Sequence, residues 1–226
     1  MNKIVAITGG FGYLGSVVGQ AFAAAGWQVA LLDRAVSPRY PQAGALSLGS
    51  VDLTDSAAAR TAIDQAAEHF GGLDALINVA GGFHWETLAD GDVDTWDLMY
   101  RINLRTAVVS SQAALAHLKA RGHGRILNIA ATAATRAALG MGAYAAAKAG
   151  VMRLTEALAE ELKDARITVN ALMPSIIDTP QNRTDMPDAE FDRWVRPEQL
   201  AATLLFLASD NAAAITGACI PVTGRV

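Results

Sequence analysis

Charge is scarce in this chain. Of its 226 residues 18% are Asp, Glu, Lys or Arg, and 52% are apolar, with a formal net charge of −4. Globular proteins usually carry ~25% charged residues. An apolar-rich, charge-poor chain excludes intrinsic disorder. The mildly acidic balance offers no basic face for nucleic acid or for an anionic membrane surface. Cysteine is almost missing as well. Cys219 alone cannot form an internal disulfide, which points to a reducing, cytoplasmic setting. Repeats, low-complexity tracts and linkers are absent, and the length suits one domain, expected to run over residues 1–226.

The scarcity is greatest at the start, where no charged residue occurs from Ile4 to Leu32. A bilayer span needs ~20 apolar residues, so this stretch has to be tested against a membrane reading. Gly9, Gly10, Gly12, Gly15, Gly19 and Gly26 interrupt it, and Gln20 and Gln28 add polarity. Glycine inside a helix costs ~1 kcal/mol relative to alanine, so the stretch reads as strand, loop and helix rather than as a span.

Short apolar runs then alternate with helical segments. Strands are expected at 4–7, 29–32, 73–79, 124–130, 167–172 and 218–222, with a short third strand after the Pro- and Gly-containing loop 35–50 and ending at Asp52. Helices are expected at 14–25, 54–70 (capped by Thr54 or Asp55), about 95–101, 103–120, 144–164 and 198–209. Residues 180–196 are polar and contain Pro180 and Pro187. This alternation implies an α/β fold, a Rossmann-like doubly wound parallel sheet of about seven strands with helices on both faces. Ligands of such sheets bind beyond the strand C-termini.

Those strand ends carry the chemistry. Thr8-Gly9-Gly10-Phe11-Gly12-Tyr13-Leu14-Gly15 follows the first strand and opens a helix. Glycines there permit close backbone approach, and the helix N-terminus offers amides to a diphosphate, so Gly9, Gly12, Tyr13 and Leu14 are candidate cofactor contacts. Asp33 ends the second strand; a carboxylate there accepts from both adenosine ribose hydroxyls and repels a 2′-phosphate, favouring NAD(H) over NADP(H). Arg34 beside it could instead accept that phosphate. Asp52 and Leu53 are candidates for the adenine side, with helix capping as the alternative for Asp52. Tyr144 and Lys148 stand four apart and so share a helix face. An ammonium beside a phenol is expected to lower the phenol's pKa and make Tyr144 a proton donor or acceptor.

Together these residues resemble the short-chain dehydrogenases/reductases over nearly the whole chain. Asn78-Val79-Ala80-Gly81 is similar to the family's Asn-Asn-Ala-Gly, which implies cofactor contacts at Val79, Ala80 and Gly81. Asn103 stands where the family keeps a proton-relay asparagine. Pro174-Ser175-Ile176-Ile177-Asp178-Thr179 is similar to the segment around the nicotinamide carboxamide, which implies roles for Pro174, Ile177 and Thr179. Ile215-Thr216-Gly217 and Ile220-Pro221-Val222 resemble the family's last strand. The resemblance implies catalysis by Tyr144, Lys148 and Asn103, a small-molecule substrate, no metal, and homodimers or homotetramers packed through the alanine-rich helices.

Three departures bear on function. The glycine spacing is that of the family's extended branch, the compact branch having Gly at the place of Tyr13, yet the length leaves no room for a separate substrate domain; the compact architecture is expected. Ala131 replaces the serine that usually hydrogen-bonds the substrate carbonyl. Losing such a donor costs about 10²-fold or more. Thr132 is adjacent but points to the opposite face unless the strand bends, and His84 is another candidate. A narrower resemblance to the dihydropteridine reductase branch, which also has alanine there, implies a quinonoid substrate and places Phe83 near it. Finally, little chain follows the last strand, so residues 180–196 are expected to act as a lid, with Phe191 and Trp194 closing over the nicotinamide or, alternatively, packing on the core. The functional alternatives to the oxidoreductase are a catalytically silent nucleotide sensor and a lyase or epimerase.

Overall fold

The computed structural model describes residues 2–226. One sheet of seven parallel strands runs in the order β3-β2-β1-β4-β5-β6-β7. Its strands are β1 (Ile4–Thr8), β2 (Gln28–Leu32), β3 (Leu46–Leu48), β4 (Ala75–Asn78), β5 (Gly124–Ile129), β6 (Ile167–Pro174) and β7 (Cys219–Val222). Every residue of β1, β4, β5 and β6 is buried, as expected when helices cover both faces of a parallel sheet.

On one face lie α1 (Tyr13–Ala24) and α7 (Pro197–Ala208), with Val18, Phe22, Leu200 and Leu204 in the core against Val5, Ile7 and Leu31. On the other lie α2 (Ser56–Phe70), α4 (Thr106–Arg121) and α5 (Gly142–Leu162), with Ile63, Leu118, Leu158 and Leu162 against Ile4, Leu76, Ile126 and Val169. Burying one such side chain stabilises the fold by about 1.5–3 kcal/mol. The order reverses between β1 and β4, so the crevice at their C-terminal ends is the switch point where ligands of this architecture bind.

Three local features differ from expectation. The third strand ends at Leu48, and Asp52 lies beyond it in a turn, accepting from Thr54 N at 2.9 Å and Thr54 Oγ1 at 2.7 Å. The cap of α2 is Asp55, one of the two residues expected there, which accepts from Ala58 N at 2.8 Å. The helices expected at 95–101 and 103–120 form one continuous rod, α3 (Val93–Met99) joined to α4 by a π-helical turn at Tyr100–Arg105. β6 runs on through Pro174, which pairs with Val222. No helix among the described residues is long and apolar enough to cross a membrane.

Candidate functional site

The glycine loop is built by close contact. Gly9 has φ +65°, and a Cβ there would stand 2.8 Å from Ala80 N. At Gly15 a Cβ would stand 2.2 Å from the Gly9 carbonyl oxygen. The loop is thus pressed against the chain leaving β4, and Thr8 ties the two together by accepting from both Val79 N and Ala80 N at 3.2 Å. Gly12 is the N-cap of α1, and no side chain caps the first turn, which also contains no acidic residue. Amides left in this way favour an anion. Tyr13 leaves the turn edge-on to Tyr40 at 5.7 Å, and Leu14 packs into the core.

Asp33 lies beside this loop. Its Oδ2 accepts from Phe11 N at 3.0 Å and its Oδ1 from Ala35 N at 2.9 Å. Each carboxylate oxygen keeps a free lone pair, so the group is oriented and still able to accept. Arg34 is exposed. Asp52 is held below the usual carboxylate range, first by its hydrogen bonds from Thr54 and then by the charges of Arg34 and Arg101. Leu53 is buried beside it.

At the ends of β4 and β5 the proposed catalytic groups converge. Lys148 is buried on α5, and its Nζ donates to the Ile129 carbonyl at 2.7 Å. A Cβ on Gly81 would stand 2.6 Å from Asn103 Oδ1 and 3.5 Å from Lys148 Nζ, so these three residues share one small space that only glycine leaves open. Tyr144 lies next to it, its ring centre 5.8 Å from Lys148 Nζ. Below them a buried chain of amides and hydroxyls braces the layer: Asn78 Nδ2 donates to Asn128 Oδ1 at 2.9 Å, and Asn128 Nδ2 to Thr155 Oγ1 at 2.9 Å.

One expectation about these groups is corrected. Burial pushes the Tyr144 phenol up to about 12, and burial brings the Lys148 ammonium down to about 8. Desolvation sets the direction, and the phenol keeps its proton at neutral pH. The Asn103 amide accepts from Gly82 N at 3.2 Å and donates to Gly82 O at 3.0 Å and Met99 O at 3.1 Å, so both its N–H groups are used while Oδ1 keeps one lone pair. It pins the chain after β4 and has no donor left for a water.

The substrate side is bordered by residues of mixed fate. Phe83 meets Tyr144 edge to face, with ring centres 5.1 Å apart at 90°. His84 stands exposed after it. Ala131 is buried and extended, and the chain turns at Thr132, whose hydroxyl donates to the Pro174 carbonyl at 3.3 Å. Thr132 is thus aimed at the end of β6. Ile177 and Thr179 follow, Ile177 bridged to Val195 and Thr179 capping α6 (Pro180–Asp185) by accepting from Asn182 N at 3.1 Å. Trp194 takes the second of its two expected places, in the core. It is 5% exposed and packed on Phe191 with ring centres 4.9 Å apart.

Trp85 escaped the sequence reading. Its indole Nε1 donates to the Leu139 carbonyl at 3.0 Å, joining positions far apart in the chain. Thr8 escaped it too, although its place just before the glycine loop was visible.

A nicotinamide dinucleotide fits these residues: an uncapped helix start for a diphosphate, an oriented acceptor in Asp33, and a phenol–ammonium pair across the switch point. A sequence profile described as short chain dehydrogenase matches residues 3–190. The 4-formylbenzenesulfonate dehydrogenase of Comamonas testosteroni is 33% identical, covering 99% of this chain and 98% of its own. The (2S)-[(R)-hydroxy(phenyl)methyl]succinyl-CoA dehydrogenase subunit of Thauera aromatica is 34% identical over 99% of this chain and 96% of its own. A crystal structure of 3-ketoacyl-(acyl-carrier-protein) reductase from Brucella melitensis, complexed with NADH, superposes with a TM-score of 0.88 at 30% identity, covering 99% and 98% of the two chains. The fold and site thus define a nicotinamide-dependent oxidoreductase. The chain belongs to the short-chain dehydrogenase/reductase family.

Proposed function

We propose that this protein moves a hydride between NAD(H) and a small substrate, either a carbonyl/alcohol pair or a quinonoid, pteridine-like ring. The observation that carries this is the convergence of Gly81, Asn103 and Lys148 beside Tyr144, across the crevice from the glycine loop. Gly9, Gly12, Tyr13 and Leu14 would seat the diphosphate. Asp33 would hold the adenosine ribose, Asp52 and Leu53 would border the adenine, and Val79, Ala80, Gly81, Pro174, Ile177 and Thr179 would line the nicotinamide end. When bound, the nicotinamide supplies or accepts the hydride.

In reduction Tyr144 Oη gives its proton to the substrate oxygen as carbon is reduced, and C=O becomes C–OH. A phenol that keeps its proton at neutral pH suits that donor role, and the ammonium of Lys148 stabilises the phenolate left behind. Oxidation runs the same transfers in reverse. A relay water would be held by Asn103 through an oxygen that accepts from it, side-chain Oδ1 or the main-chain carbonyl in the π-helical turn, because both its side-chain N–H groups are already bonded. Segment 180–196 would serve as a lid through α6, anchored by the bidentate Arg183–Asp178 pair at 2.6 and 2.8 Å. Residues 1–226 would act as one domain, in the cytoplasm, as a homodimer or homotetramer packed through α4 and α5.

Two relatives support a ring-bearing substrate, since their names carry a formylbenzene and a phenyl group. Ala131 favours the quinonoid option, because a reacting group that needs no serine hydroxyl is the one this site leaves unassisted. The test is NADH oxidation measured separately with quinonoid dihydropterin and with a panel of ketones and aldehydes, each repeated with NADPH. Turnover with at least one panel, better with NADH, is expected. Tight NADH binding with no turnover in either panel would instead support a silent sensor.

A further inference from the structure

We infer that Phe83 and Trp85 form a rigid aromatic shelf that selects a substrate whose reacting carbon is attached to a flat ring. This rests on the reading of Tyr144 as proton donor. Both side chains are 55% exposed, although large aromatics usually bury most of their surface. Nor is the strap that carries them loose. At one end Asn103 grips Gly82 through both its N–H and its carbonyl. At the other, Glu86 N donates to the Gly140 carbonyl at 2.9 Å and the Trp85 indole to the Leu139 carbonyl at 3.0 Å.

Gly140 has φ +72°, and a Cβ there would stand 2.2 Å from the Trp85 ring, so the indole lies directly on the backbone of that turn. Phe83 in turn stands edge-on to the proton donor. Two exposed rings are therefore held in place before any substrate arrives, one of them touching Tyr144. Preorganised aromatic surface favours an aromatic partner, since ring pairs gain attraction beyond the area they bury. A ring attached to the reacting carbon also stabilises positive charge as hydride departs, which offsets part of the assistance missing at Ala131.

The step balances. In 1-phenylethanol the carbinol C–H bond breaks with its electron pair going to NAD⁺, the O–H proton passes to the Tyr144 phenolate, whose own proton has first left to solvent beside the Lys148 ammonium, and acetophenone forms.

The experiment compares 1-phenylethanol with 2-butanol, both with NAD⁺, and reads indole fluorescence of the NAD⁺-loaded protein titrated with acetophenone or 2-butanone. The wild type is expected to favour the aryl alcohol in kcat/KM by at least about tenfold. Phe83→Leu with Trp85→Leu should erase that ratio, whereas Leu88→Ala, an exposed residue of the same loop, should leave it within about twofold. Acetophenone should quench the wild type more than 2-butanone does, and Trp85→Phe should remove the difference. An unchanged ratio in the double variant, or Trp85 emission that responds to protein concentration but not to acetophenone, overturns the shelf; the second result would mean that another copy covers it. Acetophenone quenching through Trp85 without turnover of either alcohol would leave the shelf standing and remove the carbonyl/alcohol reading of the substrate instead.

Discussion

The Nζ of Lys148 lies 5.8 Å from the centre of the Tyr144 ring while donating to the Ile129 carbonyl at 2.7 Å. The carbonyl fixes the ammonium, and the i, i+4 spacing on α5 fixes the phenol, so their separation is set by backbone on both sides. Charge at this spot is costly, and that cost gives a measurable signature.

Lys148 is brought down to about 8 in the folded protein from an ordinary 10.5. Between those values the unfolded chain holds a proton that the folded one has released, so stability rises with pH there; below about pH 8 the full cost of burying the charge is present. Tyr144, raised to about 12 from 10, works the other way above pH 10, where the unfolded chain loses its proton first. Urea unfolding between pH 7.5 and 9.5 should show the wild type gaining stability relative to Lys148→Met. A difference between the two proteins that does not change with pH would count against the buried charge.

Asp33 should matter twice. It accepts from the Phe11 amide of the glycine loop, and in the proposed function its remaining lone pairs would meet the ribose. Hydrogen bonds to a charged group contribute about 1.5–3 kcal/mol, so Asp33→Ser should weaken NADH binding by about ten- to a hundredfold. The loss should be smaller for NADPH, because the repulsion of a 2′-phosphate disappears. Titration calorimetry with both cofactors checks this; equal losses would remove Asp33 from cofactor choice.

Ala131→Ser adds one hydroxyl to a buried, extended position beside the crevice. A donor aimed at a developing oxyanion contributes about 10²-fold. With simple aliphatic ketones kcat should therefore rise, by about tenfold or more if the new hydroxyl reaches the oxygen. No gain would mean that Thr132, now bonded to the Pro174 carbonyl, or another donor already serves.

The frame of the fold was legible because its signals are local. Ile4–Thr8 is an unbroken buried run, the glycines stand directly after it, and Tyr144 and Lys148 are one helical turn apart. What escaped was set by contacts remote in sequence or by burial. One extra residue in the turn at Tyr100–Arg105 keeps α3 and α4 continuous, which periodicity cannot reveal. Trp85 gains its meaning only from Leu139 and Gly140, more than fifty residues away. The sense of the Tyr144 pKa followed from desolvation, which the Tyr-Ala-Ala-Ala-Lys spacing does not show. For Trp194 the sequence leaves lid and core equally open, because an aromatic in a polar stretch has no periodic partner; its burial beside Phe191 comes from the folded chain.

The most direct test of the central claim is turnover by Tyr144→Phe under saturating NADH, on whichever substrate the wild type reduces. Losing the proton donor should lower kcat by about 10²- to 10⁴-fold, with NADH still bound and the fold intact by circular dichroism. Full turnover by the variant would contradict Tyr144 as the group that transfers the proton.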